Sequence, residues 1–234
     1  MNSTKTARGV KRGRKMNRPE FFVTEDDVLT DYRGDEEQIV IPDGITGIDD
    51  GAFYKCGTIT EVIVPDGVIQ IGNSAFSMCA KLEKVCLPDS VTIIESSAFY
   101  DCESLKSIRI PAGVNMIEWR VFSKCVNLES IDVDENNEEY CSVDGVMFTK
   151  NKAMLRYYPA GKKDEEFTVP AETINISIFA FSNCTNLKKI FIPKTVEIID
   201  PGAFDEGSEI VLCVKKGSAA WKYAMEYNLK FELV

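Results

Sequence analysis

Phenylalanine returns every 23 residues in this chain, at Phe53, Phe76, Phe99 and Phe122. Each follows Ala or Val and leads a cysteine by three places: Cys56, Cys79, Cys102 and Cys125. Prolines keep the same beat at Pro42, Pro65, Pro88 and Pro111. The beat resumes at Pro170 and Pro193, with Ala180-Phe181 and Cys184 between them and a degenerate Ala203-Phe204 after. A fixed period of about 20–50 residues means one structural unit stacked on itself, and it outranks any local propensity. Such a chain has no single pocket built from distant segments. It has long faces of equivalent positions, which suit recognition better than catalysis.

One copy runs from Leu82 to Cys102. Val85 and Leu87 alternate with Lys84 and Cys86, the period of a short strand with one buried face. Pro88 ends its hydrogen bonding. Val91 and Ile94 turn back into the core through a second extended segment. Ala98-Phe99 and Cys102 close the coil in a tight helical or 3-10 turn. A single copy cannot bury its apolar side alone, so copies stack as ladders with parallel strands about 4.8 Å apart, and the ends need caps.

The pattern Leu-x-x-Ile-x-Ile-Pro-x-x-Val-x-x-Ile-x-x-x-Ala-Phe-x-x-Cys resembles the BspA-type leucine-rich repeat family of bacterial proteins, over about residues 35–213 and in six in-phase copies. The resemblance implies a right-handed, β-rich solenoid of short parallel strands and short helical or 3-10 turns. It also implies a non-enzymatic scaffold that binds a protein partner. Members of that family are commonly linked to cell-surface adhesion, so an adhesin for host protein or glycan is the alternative.

The 234 residues carry a formal charge of −10, unevenly placed. Residues 1–18 hold seven basic groups and no acid, and read as a disordered basic tail. The remaining 20 basic and 37 acidic groups leave the body at −17. An acidic body disfavours nucleic acid and anionic membrane, so neither is expected as a partner. Nucleic-acid association through the tail is a lesser alternative. The N-terminus has charge but no apolar run: Phe21-Phe22-Val23 is short and meets Glu25-Asp26-Asp27. Neither a secretory signal nor a membrane span is expected, and the chain is expected to be cytoplasmic and monomeric.

Five of the eight cysteines (Cys56, Cys79, Cys102, Cys125, Cys184) hold one repeat position. The bland reading is small, buried, apolar thiols. Bridges between adjacent rungs need side-chain vectors that parallel positions do not supply. Zinc lacks a C-x-x-C pair, and the chain has no histidine. Cys86, Cys141 and Cys213 fall off the ladder and are the expected reactive thiols.

Residues 19–234 read as one solenoid domain. Residues 19–34 form an N-terminal hairpin cap, 35–133 the regular repeats, 134–163 an insert, 164–209 further repeats and 210–234 a C-terminal cap. The insert contains Asp144-Gly145 between apolar positions, a hairpin turn signal, and a second turn at Asn151-Lys152. It reads as a hairpin projecting from the stack or folded along it, or else as an irregular coil of the same stack. In the last cap, Ser218 can cap a short helix, Ala220, Tyr223, Ala224 and Tyr227 follow helical spacing, and Leu229 to Val234 finish as an edge strand.

Without histidine there is no Ser-His or Cys-His pair, and no phosphate-binding glycine motif is present. The acidic runs lie in turns, where charge is usually solvated. Asp134 to Glu139 lacks the order of a calcium loop. No catalytic residue, metal or cofactor is expected. The candidate partner-binding row is the outward position before each strand proline: Val40, Ile63, Cys86, Arg109, Asp132, Thr168 and Phe191. An apolar stripe there marks a binding face or simply reflects strand formers. Trp119 is a further candidate. It occupies a position held by Asp50, Asn73 and Ser96 in earlier copies. Either the insert covers it, through Met147, Phe148, Leu155 and Tyr157, or a partner does.

Overall fold

A computed structural model of the chain describes Arg14, Lys15, residues 21–24 and residues 26–234. The expected disordered tail falls outside the described residues, save Arg14–Lys15. Those two form β1, antiparallel to β2 (Phe21–Val23), which pairs with β3 (Val28–Tyr32). The turn before β3 places Asp27 at φ +57°, in the left-handed region that glycine would favour.

Each regular coil then contributes two strands. They are β4 (Gln38–Val40) and β5 (Gly47–Ile48), β6 (Glu61–Ile63) and β7 (Gln70–Ile71), β8 (Lys84–Cys86) and β9 (Ile93–Ile94), and β10 (Ser107–Ile110) and β11 (Met116–Ile117). β12 (Ser130–Val133) leads into the insert, β13 (Tyr140–Val143), β14 (Val146–Thr149) and β15 (Met154–Tyr157). Coils resume with β16 (Glu166–Thr168), β17 (Asn175–Ile176), β18 (Lys189–Phe191) and β19 (Ile198–Ile199). The chain closes with β20 (Val211–Val214), α1 (Ala219–Glu226) and β21 (Phe231–Leu233).

The solenoid has two strand faces. The first carries the sheets β4-β6-β8, β10-β12 and β16-β18-β20-β21. The second carries β1-β2-β3-β5-β7-β9-β11 and β13-β14-β15-β17-β19. Coil-to-coil pairing is parallel and in register: Ile39, Val62 and Val85 are opposite one another, as are Ile48, Ile71, Ile94 and Ile117. These ladders are buried, and aromatic rings stack between them. Phe76, Phe99 and Phe122 lie at centroid separations of 5.4 and 6.0 Å, near-parallel, and Phe99 is fully buried.

The corners differ from the helical or 3-10 form expected. Among the described residues α1 is the one helix, and the corners are hydrogen-bonded turns. The reason is a left-handed residue at fixed positions in every coil. Gly51, Ser74, Ser97, Arg120, Phe179 and Gly202 have φ between +55° and +79°, and Lys55, Met78, Asp101, Lys124 and Asn183 repeat it four places on. A left-handed residue ends a right-handed helix before it can propagate. Carboxylates of the following coil accept the corner N–H groups: Glu118 from Ser96 at 3.0 Å, Asp200 from Ile178 at 3.2 Å and Asp205 from Asn183 at 2.6 Å.

The insert neither projects from the stack nor lies along it. It crosses the stack as a septum. Asp144 and Gly145 (φ +51° and +74°) make the tight turn between β13 and β14. Along these strands Tyr140 and Met147 face the core below, while Val146 and Phe148 face the core above. β15 then pairs parallel with β17 and so starts the second run of coils. At the far end Ser218 accepts the Trp221 N–H at 3.1 Å, Asn228 takes a left-handed conformation, and β21 pairs parallel to β20 at the sheet edge, all as the sequence suggests.

Candidate interaction surface

The outward row before the strand prolines does not form one stripe. Val40, Ile63 and Cys86 are in register on adjacent strands. Val40 is 54% and Ile63 41% exposed, and Cys86 is half-buried. Arg109 and Asp132, next in line, are polar and engaged. Arg109 pairs with Asp134 and lies 3.7 Å from Asp89, while Asp132 accepts from the Ser130 hydroxyl at 2.6 Å. Beyond the septum, Thr168 is exposed and Phe191 half-buried beside Cys213. The row is thus an apolar patch at the N-terminal end, a charged middle and a weaker patch past the septum.

Trp119 is not covered by the insert: it is 62% exposed. Met147, Phe148, Leu155 and Tyr157, expected to pack on it, are all buried between the two cores instead. An insert that crosses the stack spends its apolar groups on the exposed ends of two cores, each far larger than one indole. The neighbour of Trp119, Arg120, makes the lateral contact: its guanidinium lies over the Tyr100 ring (5.2 Å) and the Phe179 ring (5.4 Å).

The second strand face holds apolar exposure that the row of strand prolines does not reveal. Ile69, Met116, Ile174 and Ile198 are all exposed. Ile174 and Ile198, with Ala153 and Met154, floor a shallow groove of about 700 Å³ beside Glu138 and Glu139. The signal was present in the sequence at the positions following each turn, where Ile69 and Ile174 stand apart from Thr92 and Glu197.

The thiols sort by depth. All eight cysteines are free. Burial pushes Cys79 and Cys125 up to about 12 and Cys56 up to about 11, and raises Cys102 and Cys184 as well. Cys213, expected to be reactive, is buried, and burial raises its thiol too. It pairs with Phe191 on one side and Glu232 on the other, inside the closing sheet.

The acids are structural in their contacts. Glu95 is held above the usual carboxylate range by burial and then by nearby Asp50, and it accepts from Gln70 and the Asn73 N–H. Asp134 is held low, chiefly by the Asn136 backbone N–H and also by Arg109. Among the described residues, no three Cys, Asp or Glu side chains converge on a metal-sized site. No described helix is long and apolar enough to cross a membrane.

A family model described as BspA type leucine rich repeat region, in six copies, matches residues 32–151 and 158–214. Among solved structures, the chain is similar to a leucine-rich repeat protein from Eubacterium ventriosum at 29% identity and a TM-score of 0.65. That match covers 84% of this chain and 63% of that one. It is similar in fold to a leucine rich cell surface protein from Faecalibacterium prausnitzii (24% identity, TM-score 0.59, 82% and 73% covered). The pneumococcal vaccine antigen PcpA shares the fold as well (23% identity, TM-score 0.65, 81% and 67% covered). The chain therefore spans less than two thirds of the Eubacterium protein's length. No curated protein matches it.

Proposed function

The chain belongs to the BspA-type leucine-rich repeat family, and we propose that within it this chain acts as a non-enzymatic scaffold for a protein partner. The observation that carries this reading is the in-register exposure of Val40 and Ile63 beside Cys86 on the first strand face. Isolated exposed apolar residues are ordinary, but adjacent rungs of one sheet present a contiguous patch. The lack of any imidazole and the capping duty of the acids support a binding role over a chemical one. Trp119 is the second contact point of this proposal, since it is 62% exposed among the described residues. The partly exposed free thiols at Cys56, Cys86 and Cys141 favour a reducing, cytoplasmic setting. The surface location printed for the Faecalibacterium protein is the alternative.

A photo-crosslinking side chain placed at Ile63, and separately at Trp119, tests the face in the native cell. Capture of one protein from position 63, lost on V40D with the melting temperature unchanged, supports the proposal. Capture from Trp119 alone moves the site to the corner, and fractionation of the same cells reads location.

A further inference from the structure

We infer that the septum is a built-in fracture plane, so that the solenoid opens as two cooperative blocks rather than one. The regular coils are sewn together by an unbroken ladder on the second face, from β3 to β11, by corner hydrogen bonds, and by first-face ladders interrupted between β8 and β10. Both faces lose that ladder at the same level: neither β11 nor β12 pairs with a strand of the insert. Among the described residues, the backbone hydrogen bonds crossing there are Ile131 N–H to Gly145 (2.9 Å) and Gly161 N–H to Leu128 (2.8 Å).

Side chains take over the missing bonds. Tyr140 accepts from the Ile117 N–H at 3.1 Å, and the Arg156 guanidinium donates to the Ile117 carbonyl at 2.6 Å. Tyr157 donates to the Glu118 carbonyl at 2.8 Å and accepts from the Val121 N–H at 3.3 Å. The Asn183 side-chain oxygen accepts from the Lys124 N–H at 3.1 Å, where earlier coils use a backbone carbonyl. Every one of these is a single side chain replacing a cooperative ladder.

Two further observations point to the same plane. The buried apolar residues fall into two separate cores, which meet at the septum. The buried side-chain atoms with no hydrogen-bond partner among the described residues are Ser123 Oγ, Arg156 Nε, Tyr158 Oη and Asn175 Oδ1. Ser123, Arg156 and Tyr158 belong to this junction, and Asn175 lies one coil on, opposite Met154 in the C-terminal block. Unsatisfied buried polar groups weaken the packing that holds them. In a stack of repeats, stability is a sum of coil and neighbour terms, so one weak neighbour term divides the cooperative unit.

Amide hydrogen exchange of the full chain across a denaturant series tests this. Amides of β17, β19 and β20 should lose protection at a lower denaturant midpoint than those of β5, β7 and β9. One midpoint shared by all of them would overturn the inference. In a second arm, R156M/Y157F should lower the midpoint of the C-terminal block while that of β5, β7 and β9 stays in place. Equal shifts in both blocks would overturn it, because they mean the junction transmits cooperativity like any other coil boundary.

Discussion

The Cys125 thiol donates to the backbone carbonyl of Phe99 at 3.0 Å, across one coil boundary and inside the core. Cys102 does the same to Phe76 and Cys79 to Phe53, each at 3.1 Å. The Phe53 and Phe76 carbonyls already accept the N–H three residues on, from Cys56 and Cys79, so there the thiol fills the second lone pair. The thiol ladder is therefore a hydrogen-bonded stitch between coils. Replacing Cys102 by Ala should cost about 1–2 kcal/mol, one modest hydrogen bond plus a small cavity. Urea denaturation reads it directly.

Burial of these thiols also fixes a pH dependence. Cys79 and Cys125 move from 9.0 to about 12, and Tyr157 from 10.0 to about 12. Each is an acid whose neutral form the fold prefers. That preference stabilises the fold fully below the unfolded values and is lost as pH rises toward 12. The melting temperature should thus decline from about pH 9 upward with no matching loss near neutrality. A flat profile between pH 9 and 11 would count against buried thiols.

Alkylation of the native protein should label Cys86 and Cys141 well before Cys79, Cys102, Cys125, Cys184 and Cys213, because the thiolate is the nucleophile and access is limited by depth. Mass spectrometry after short exposure at pH 8 gives the order. Early labelling of Cys213 would show that the closing sheet opens readily.

Phe99 sits between Phe76 and Phe122 with no exposed surface. Phe99→Ala should cost roughly 3–5 kcal/mol, the usual range for a buried aromatic. Trp119→Ser should stay within about 0.5 kcal/mol of the parent, as for an exposed site. Equilibrium denaturation of the pair separates core from surface, and a costly Trp119→Ser would mean the indole is covered.

Asn137 occupies the ladder position that Val68, Val91 and Val114 hold, and it is buried. Its amide donates to the carbonyls of Pro111 and Val114, each at 2.8 Å, and its oxygen accepts from the N–H groups of Glu139 and Tyr140. Asn137→Val restores the apolar ladder residue but removes the partner of the Val114 carbonyl and of the Glu139 and Tyr140 N–H groups. It should therefore destabilise, by about 3 kcal/mol or more. A stabilised variant would show that the septum tolerates an ordinary coil.

Much of this architecture was legible in the residues. The coil, its strand before each proline, the stacked Phe53 to Phe122 column, the Asp144-Gly145 turn and the Ser218 cap all follow from local rules. The corner conformation was not legible, because Ser74, Arg120 and Phe179 share no side-chain property. Their left-handed geometry comes from neighbours in the stack. The candidate row was legible as positions but not as a surface, since whether Arg109 interrupts it depends on Asp89 and Asp134 reaching the same guanidinium.

By itself the sequence determined the repeat and the family, because a 23-residue period is a one-dimensional signal that each copy states independently. It also determined that the thiols lie in line and that no imidazole chemistry is available. Only the tertiary structure decided the path of the insert and the fate of Trp119. An apolar, hairpin-forming segment can satisfy its hydrophobic faces against the side of a stack or across its axis. The choice between them rests on which surfaces remain open when the coils end, and Asn137, Tyr140, Arg156 and Tyr157 show their roles only once the unpaired backbone of β11 and the 111–114 turn is in place beside them.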